Sequence, residues 1–412
     1  MEMDFMCLRG AEHIWIYGAG TVGKRVLHML SEQALGLHIE GMVVSRLTEG
    51  QKAPQGYEIA QITDRERVSR ESIFIVAVAG PLQEEIVETL RAEGCSRYIL
   101  WKSEYISRRW YLSDWCLEDR SRGLAKVCLV LAGYKEFLWD TVFERLGRFV
   151  PGDVDVCILS SGVYSDRLSE TARENGWSYL STRVNDIRLI QNIAIGHYEK
   201  AEWIYKMDED IFVTQGCFEA LMETYRGVEE SGAYRICFAA PLIPVNGYGY
   251  IRILEHVGKR GCYEERFGRA YYGGYPESMI EKDAGAAQYM WGEGGEIPQL
   301  DRLNTQLGST GGYSVCGVRF SIGFILLHRS IWESLGGFNV TGRLDLGMDE
   351  EELCRYGMLY AKAIIVSEGT AVGHFSFRQQ TEKMRDFYEK NPRLFQIEGT
   401  EDSAGLSVEG RD

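Results

Sequence analysis

Short apolar runs alternate with amphipathic stretches over the first hundred residues of the chain. The apolar runs predict buried strands, and between them apolar side chains recur every three or four positions, which is the spacing of one helix face. Strands are predicted at residues 14–17, 41–44, 73–78 and 98–101, with helices after the first and the third. A regular alternation of strand and helix is typical of a parallel sheet, so we predict a Rossmann-like α/β domain here.

A second α/β pattern begins at Lys126. Its apolar runs predict strands at residues 127–132, 154–160, 178–181, 203–207 and 235–240, with helices between them. Residues 246–313 depart from this pattern because they are rich in Gly and Tyr, and the end of the chain is polar and acidic. We therefore predict a Rossmann-like domain with its connector at 1–122, a second α/β domain at 123–398 with an insertion at 246–313, and a disordered tail at 399–412.

Composition narrows the classes of function. The net charge of −15 argues against the basic surface that nucleic-acid binding needs. The ten Cys are scattered without a C-x-x-C pair, which fits reduced thiols in a cytoplasm better than disulfides or structural zinc. No signal-peptide pattern opens the chain, and no apolar run approaches the roughly 18 residues that span a bilayer. We expect a cytoplasmic protein without a transmembrane segment, for which peripheral contact with a membrane stays open.

A glycine-rich turn separates the first predicted strand from the first predicted helix. Gly18, Gly20 and Gly23 have the G-x-G-x-x-G spacing of a dinucleotide-binding loop, in which a helix N-terminus receives a phosphate. The acidic residue that usually follows the second strand is missing, and Arg46 stands near its place, where it could accept a 2′-phosphate. We expect a nucleotide or sugar nucleotide here. The alternative is a structural domain that keeps the glycines for a tight turn.

The most informative motif is Met207-Asp208-Glu209-Asp210-Ile211, which closes the apolar strand at 203–207. Two carboxylates one residue apart at a strand end can share one divalent cation, and oxygen ligands suit Mn2+ or Mg2+. A cation at this place can hold a diphosphate and polarise its oxygens. The motif therefore indicates transfer chemistry on a nucleotide-sugar diphosphate.

The motifs around this strand resemble those of the family-2-like glycosyltransferases of GT-A fold, over about residues 126–378. The front segment resembles Rossmann-like nucleotide-binding domains of bacterial sugar-modifying enzymes. The resemblance of the second domain rests on four segments in family order, namely the helix and strand at 192–210, the segment 330–338 that ends in Gly-Gly-Phe, the acidic helix start at 349–355, and Gly373-His374-Phe375.

The resemblance implies roles for a few polar residues of these segments. Asp208 and Asp210 would bind the metal at the diphosphate, with His374 as a third ligand. Asp349 or Glu350 would be the general base that activates an acceptor hydroxyl. Further contacts with the donor are expected from Ala132, Tyr134 and Asn192.

These expectations describe a metal-dependent, inverting glycosyltransferase of surface-polysaccharide or glycoconjugate synthesis. The donor is a nucleotide sugar with uridine favoured, although Ser160-Ser161-Gly162 replaces the family's acidic pair that helps to bind the base and ribose. The acceptor is a glycan or a lipid-linked sugar, for which the tyrosines and Trp291 of the insertion offer flat faces. The alternatives are an NAD(P)-linked sugar oxidoreductase, a nucleotidylyltransferase and a non-catalytic carbohydrate-binding scaffold.

Overall fold

The computed structural model describes residues 2–32, 35–273, 278–340 and 347–399. The predicted disordered tail therefore lies outside the described residues, apart from residue 399. Within the described residues, no helix is long and apolar enough to cross a membrane.

The first domain is a five-stranded parallel sheet with the order β3-β2-β1-β4-β5. Its apolar strands are buried, and one short strand with a more polar sequence, β3, was missed by the pattern of apolar runs. The strands are Ile14–Tyr17 (β1), Ile39–Val44 (β2), Glu58–Gln61 (β3), Ile73–Val76 (β4) and Tyr98–Leu100 (β5), and the helices are Thr21–Leu30 (α1) and Gly80–Ala92 (α2).

The connector belongs in part to the second domain, which differs from the predicted boundary at residue 122. It contains the short helix Tyr105–Arg108 (α3), a 3-10 turn at Arg109–Leu112 and the strand Trp115–Glu118 (β6). Strand β6 pairs in antiparallel fashion with an outer strand of the second sheet. The second domain therefore begins before residue 115, because β6 supplies one of its edges.

The second domain is a mixed sheet of nine strands with the order β13-β15-β12-β14-β10-β7-β8-β9-β6. Its remaining strands are Lys126–Leu131 (β7), Asp155–Ser161 (β8), Ser178–Thr182 (β9), Trp203–Asp208 (β10), Ile236–Leu242 (β12), Tyr313–Cys316 (β13), Phe324–His328 (β14) and Ala363–Ala371 (β15). A separate two-stranded ribbon joins Ile211–Phe212 (β11) to Gly373–His374 (β16). Together with the parallel sheet of the first domain, these two sheets and the helices between their strands confirm the predicted α/β class.

Twelve further α-helices are described in the second domain. They are Trp139–Phe149 (α4), Asp166–Glu174 (α5), Ile187–His197 (α6), Cys217–Ser231 (α7), Gly249–His256 (α8), Arg260–Phe267 (α9), Met279–Lys282 (α10), Ala284–Met290 (α11), Leu300–Gly308 (α12), Arg329–Leu335 (α13), Met348–Leu359 (α14) and Thr381–Lys390 (α15). Short 3-10 turns lie at Phe5–Leu8, Glu136–Leu138, Glu293–Gly295, Arg378–Gln380 and Pro392–Leu394.

The insertion at 246–313 is a packed helical segment, α8 to α12. Among its described tyrosines, Tyr248, Tyr250, Tyr263 and Tyr289 are buried, whereas Tyr271, Tyr272 and Tyr313 are exposed. Trp291 is also buried, and its indole N–H donates to the carbonyl oxygen of a residue in β16 at 3.1 Å. The expectation that Trp291 offers a face to sugars is therefore wrong, because the ring is used for packing.

Strand order places the candidate site residues at the carboxyl ends of central strands of the large sheet. Strand β10 runs parallel to β7 and antiparallel to β14. The carboxyl ends of β7 and β10 therefore meet the start of β14. The ribbon pairs Ile211 with His374, so that the segment after β15 reaches the acidic end of β10.

Candidate active site

Backbone hydrogen bonds fix the three acidic residues at the end of β10. The Asp208 N–H donates to the Gly323 carbonyl at 2.8 Å, and the Glu209 N–H donates to the Leu131 carbonyl at 2.9 Å. The Asp210 carbonyl accepts from the Phe375 N–H at 2.9 Å. Each acidic residue is thus tied to a different neighbouring segment, and the turn is held as one rigid unit.

Glu209 points away from its two neighbours and supports the loop after β7. Its carboxylate accepts hydrogen bonds from the Gly133 N–H at 2.9 Å, the Tyr134 N–H at 3.0 Å and the Trp139 indole N–H at 2.7 Å. The side chain is buried, so these charge-assisted bonds form away from bulk water. Glu209 therefore sets the position of the loop at 132–135 relative to the acidic turn.

Asp210 is more buried than Asp208, and its carboxylate lies between two basic groups. Lys135 forms an ion pair with its carboxylate, and the Nε2 atom of His374 lies 3.4 Å from its Oδ2 atom. Burial alone would raise the pKa of Asp210, but Lys135 and His374 outweigh it and hold the pKa below its usual range. The carboxylate is therefore ionised at neutral pH.

Asp208 has a different environment, although it is only two residues away. Its Oδ1 atom lies 2.6 Å from the ammonium group of Lys206, which is itself buried and donates to the Ile322 carbonyl at 3.0 Å. Burial raises the pKa of Asp208 to about 6; Lys206 opposes this rise, and repulsion from Asp210 and Asp349 adds to it. A carboxylate with a raised pKa and a negative neighbour gains from a nearby cation.

His374 is oriented by a backbone contact. Its Nδ1 atom lies 2.8 Å from the Val245 carbonyl oxygen, so Nδ1 carries the proton and Nε2 faces Asp210. Burial lowers the pKa of His374, but attraction to Asp210 outweighs it, and the pKa is raised overall. This arrangement, in which a carbonyl fixes the tautomer and the other nitrogen faces a carboxylate, is typical of metal-binding histidines.

The donor atoms fit a divalent cation in type, and two of the three predicted ligands are adjacent. Carboxylate oxygens with one imidazole nitrogen suit Mn2+, and Asp210 and His374 already face each other. Within the described residues, however, no three acidic, His or Cys side chains converge on one point. The predicted three-ligand group is therefore not assembled here, because Asp208 is turned toward Lys206.

The two candidates for the general base make different contacts. Glu350 has both oxygens engaged, one in an ion pair with Arg319 and the other with the Ile322 N–H at 3.3 Å. Burial raises the pKa of Glu350, and Arg319 opposes this rise only in part. Asp349 is buried at the start of α14 and accepts one hydrogen bond, from the Gln191 amide at 3.1 Å.

The three residues expected to contact the donor, Asn192, Ala132 and Tyr134, differ in burial and in their hydrogen bonds. Asn192 is fully buried in α6, where its amide donates to the Phe338 carbonyl and its oxygen accepts from the Phe338 N–H and the Trp332 indole. We therefore correct the assignment of Asn192 from donor binding to anchoring of the Gly-Gly-Phe segment. Ala132 is buried and bonded to β8, whereas Tyr134 is exposed and its hydroxyl donates to the Ser161 carbonyl at 2.8 Å.

The glycines of the first domain occupy the positions that a tight loop requires. Gly18 has a φ of +114°, and a Cβ atom on Gly23 would lie 1.7 Å from the Gly18 carbonyl oxygen. Gly20 is the N-cap of α1 and has open space around it. Arg46 is exposed and follows β2. The structure thus brings the three glycines together at the start of α1.

Sequence reasoning missed four residues that shape the site. Lys135 and Lys206 neutralise the two aspartates, Glu209 holds the loop, and Arg319 pairs with Glu350. A basic residue two positions before the first Asp was a usable signal for Lys206, because alternate residues of a strand share one face. The other three contacts join segments that are distant in sequence, so no local pattern indicates them.

Comparisons with known proteins identify similar solved structures at low identity. No protein-family model matches the chain, and no curated protein sequence matches it. The mannosyltransferase PcManGT from Pyrobaculum calidifontis, solved with GDP-Man and Mn2+, is 11% identical with a TM-score of 0.36, and the match covers 70% of each chain.

Two further structures are similar to the same extent. GalNAc-T7, solved with UDP, GalNAc and Mn2+, is 12% identical with a TM-score of 0.36, over 66% of this chain and 52% of that chain. A glucosyl-3-phosphoglycerate synthase from Mycobacterium tuberculosis, solved with Mn2+, UDP and glucosyl-3-phosphoglycerate, is 12% identical with a TM-score of 0.32, over 73% of this chain and 86% of that chain. At these identities and TM-scores the similarities carry no argument about this chain, and the roles of its residues rest on the site geometry alone.

Proposed function

We propose that this protein is a metal-dependent glycosyltransferase that moves a sugar from a nucleotide-sugar donor to an acceptor hydroxyl. One observation carries the proposal: Asp210 faces His374 at the carboxyl end of β10, two residues after Asp208, whose carboxylate is repelled by the buried carboxylate of Asp349. The motif thus has the neighbours that diphosphate chemistry needs, which a solvated turn would lack.

The residues that would hold the cation are Asp210 and His374, together with Asp208 once its carboxylate leaves Lys206. A bound divalent cation would supply positive charge to the leaving diphosphate. The turn and the ribbon that carry these residues are joined by backbone hydrogen bonds, which fix the backbones of Asp210 and His374 relative to each other. The lysines beside the two aspartates keep both carboxylates compensated before a cation arrives.

Asp349 is the better candidate for the general base. Its carboxylate lies near enough to Asp208 to raise the pKa of that residue, and it accepts one hydrogen bond from Gln191. Glu350 instead holds the segment before β14 through Arg319 and Ile322. One base on the acceptor side corresponds to a single displacement, which inverts the configuration at the sugar carbon.

The class of substrate follows from the predicted pathway and from exposed aromatic rings of the insertion. We take uridine diphosphate sugars as the first donors to test and a glycan or lipid-linked sugar as the acceptor, in cytoplasmic synthesis of a surface polysaccharide or glycoconjugate. The exposed rings of Tyr271 and Tyr272 support a carbohydrate acceptor, because aromatic faces with hydroxyl groups suit sugars.

We also propose that the first domain binds a nucleotide at the crevice between β1 and β4. The strand order reverses at this pair, and both α1 and α2 begin at the carboxyl ends of these strands. Ligands of open α/β sheets bind at such a switch point. The open space around Gly20 leaves room for a phosphate at the start of α1.

The function is tested by donor turnover in matched variants of the two carboxylates. Release of nucleoside diphosphate from a panel of nucleotide sugars is measured with Mn2+ for the wild type, Asp349→Asn and Glu350→Gln. We expect Asp349→Asn to lower turnover by roughly 10²–10⁴-fold with nearly unchanged donor affinity. Glu350→Gln keeps a neutral hydrogen-bonding group and is expected to cost far less. If Asp349→Asn turns over normally, the base is elsewhere.

A further inference from the structure

Two lysines compensate the two aspartates of the acidic turn, but only one of them is free to leave. Lys206 lies on β10, is buried, and is held by both Asp208 and the Ile322 carbonyl. Lys135 lies on the loop after β7 and is one quarter exposed. Its ammonium group is paired with Asp210, and its flexible stem extends from a backbone that Glu209 holds in place.

The position of Lys135 conflicts with a cation on Asp210. Its ammonium group contacts the same Oδ2 atom that faces the Nε2 atom of His374. A divalent cation shared by Asp210 and His374 would bind at that oxygen, and two positive groups in contact there repel each other. Lys135 must therefore leave Asp210 when a cation binds.

We infer that Lys135 is an exchangeable counter-ion that moves from Asp210 to the diphosphate of the donor when a divalent cation occupies Asp210 and His374. The inference rests on the proposed function, because that function supplies the diphosphate. Since Glu209 fixes the backbone of Gly133 and Tyr134, the exchange requires only rotation of the Lys135 side chain. The ammonium group then pairs with an anion in both states and is never left without a partner.

The exchange predicts that removal of Lys135 has opposite effects on the affinity for Mn2+ and on the affinity for a nucleoside diphosphate. Without nucleotide, Lys135 competes with the cation, so its removal should strengthen binding of Mn2+. With the cation in place, Lys135 binds phosphate, so its removal should weaken binding of a nucleoside diphosphate. A residue with a purely structural role would weaken both or neither.

The test measures Mn2+ binding without nucleotide, and then UDP binding at saturating Mn2+, by calorimetry on the full chain. We expect Lys135→Met to bind Mn2+ about tenfold more tightly and UDP about tenfold more weakly, within the range of ordinary coupling between sites. The matched control is Lys126→Met, which removes the same charge from the other end of β7, where Lys126 pairs with Asp153 at 2.6 Å. The control should leave both affinities unchanged.

Two further measurements keep the outcomes distinct. Lys135→Gln, whose amide can still donate to Asp210, replaces Lys135→Met if that variant does not fold, with the same signs expected. Lys135→Arg keeps the charge and should retain the wild-type affinity for Mn2+. An unchanged or weaker Mn2+ affinity in the uncharged variants overturns the exchange while leaving the proposed function intact. If the wild type and every variant fail to bind Mn2+, the metal-dependent function and the exchange both fail.

Discussion

At the scale of single residues, the middle member of the acidic motif is as important as the outer two. Glu209 accepts three hydrogen bonds, two of them from consecutive backbone N–H groups of the loop after β7. The same loop carries Tyr134 and also Lys135, whose ammonium group pairs with Asp210. Glu209 therefore links the geometry of the acidic turn to that of the loop.

Replacement of Glu209 tests this structural role. Glu209→Gln is nearly isosteric, but it brings an amide N–H group toward donors that need an acceptor, so one buried donor loses its partner. We expect a loss of about 1–3 kcal/mol in the free energy of unfolding, measured in urea. The control is Glu219→Gln, an exposed residue of α7, which should change stability by less than about 0.5 kcal/mol. Equal stability of both variants would contradict the role given to Glu209.

The sequence indicates the positions of some of these residues and not of others, for a physical reason. The acidic strand end was predicted from its apolar strand, and the structure places His374 beside Asp210 as the resemblance implied. Asn192 was assigned to the donor from the family resemblance, yet its burial depends on packing with Trp332 and Phe338, which lie far along the chain. No local sequence pattern indicates the role of Lys135, because its partner Asp210 comes close only when β7 and β10 pair.

At the scale of elements, ion pairs anchor the insertion to the large sheet. Glu368 on β15 is buried and accepts from Arg252 of α8 at 2.8 Å, with His256 at the other oxygen. Burial raises the pKa of Glu368, but the hydrogen bonds from Arg252 and His256 outweigh it, and the pKa is lowered overall. The position of helix α8 therefore depends on an ionised carboxylate.

The lowered pKa of Glu368 determines the direction in which stability changes with pH. Because the folded pKa is below the unfolded value of about 4.3, the stabilisation is complete above that value and is lost as pH falls through the folded pKa. We expect Glu368→Gln to be about 3 kcal/mol less stable than the wild type at pH 7, since it breaks a buried pair. The difference should shrink below about pH 4 in urea unfolding series.

A matched variant separates this effect from loss of a surface charge. Glu255 pairs with the same Arg252 but is one third exposed. Glu255→Gln should cost no more than about 1 kcal/mol at pH 7 and show little dependence on pH. A difference between Glu368→Gln and the wild type that stays constant from pH 7 to pH 3 would show that the carboxylate is not held ionised by its partners.

Short or polar strands were among the elements that the sequence patterns missed. Strand β3 has few apolar positions, and β6 is a short edge strand within a segment that reads as a connector. Both form because a neighbouring strand offers unpaired backbone groups, which a sequence window does not include. Long apolar strands such as β7 and β10 were predicted correctly because the signal lies within their own sequences.

At the scale of the whole molecule, the connector is built onto the second domain. A Cβ atom on Gly337 would lie 2.1 Å from the Trp110 ring, and the rings of Trp110 and Trp332 are 6.0 Å apart. Trp110 is fully buried beside the segment that Asn192 anchors. The first sheet, in contrast, contains none of the residues at the acidic turn, so donor chemistry should not need it.

Two truncations test this division of the chain. A protein that begins at residue 109 keeps Trp110 and β6, and we expect it to fold and turn over donor. A protein that begins at residue 123 loses both, and we expect it to be at least about 3 kcal/mol less stable than the longer truncation, because a large core side chain is removed. Comparison of the full chain with the chain from residue 109 should also show the loss of one nucleotide-binding site.

Two results would contradict these expectations. Equal stability of the two truncations would return the domain boundary to residue 122, as the sequence suggested. A chain from residue 109 that binds nucleotide sugar but does not turn it over would show that the first domain takes part in the chemistry.

The central claim is that this protein binds a nucleotide-sugar diphosphate through a divalent cation at Asp210 and releases the sugar there. The most direct measurement follows nucleoside diphosphate release from UDP sugars and other nucleotide sugars, in Mn2+ and in excess chelator, for the wild type and Asp210→Asn. We predict release by the wild type in Mn2+, loss of at least about 10²-fold in chelator, and a similar loss for Asp210→Asn in Mn2+. Equal release in Mn2+ and chelator, with full activity of a folded Asp210→Asn variant, would contradict the account.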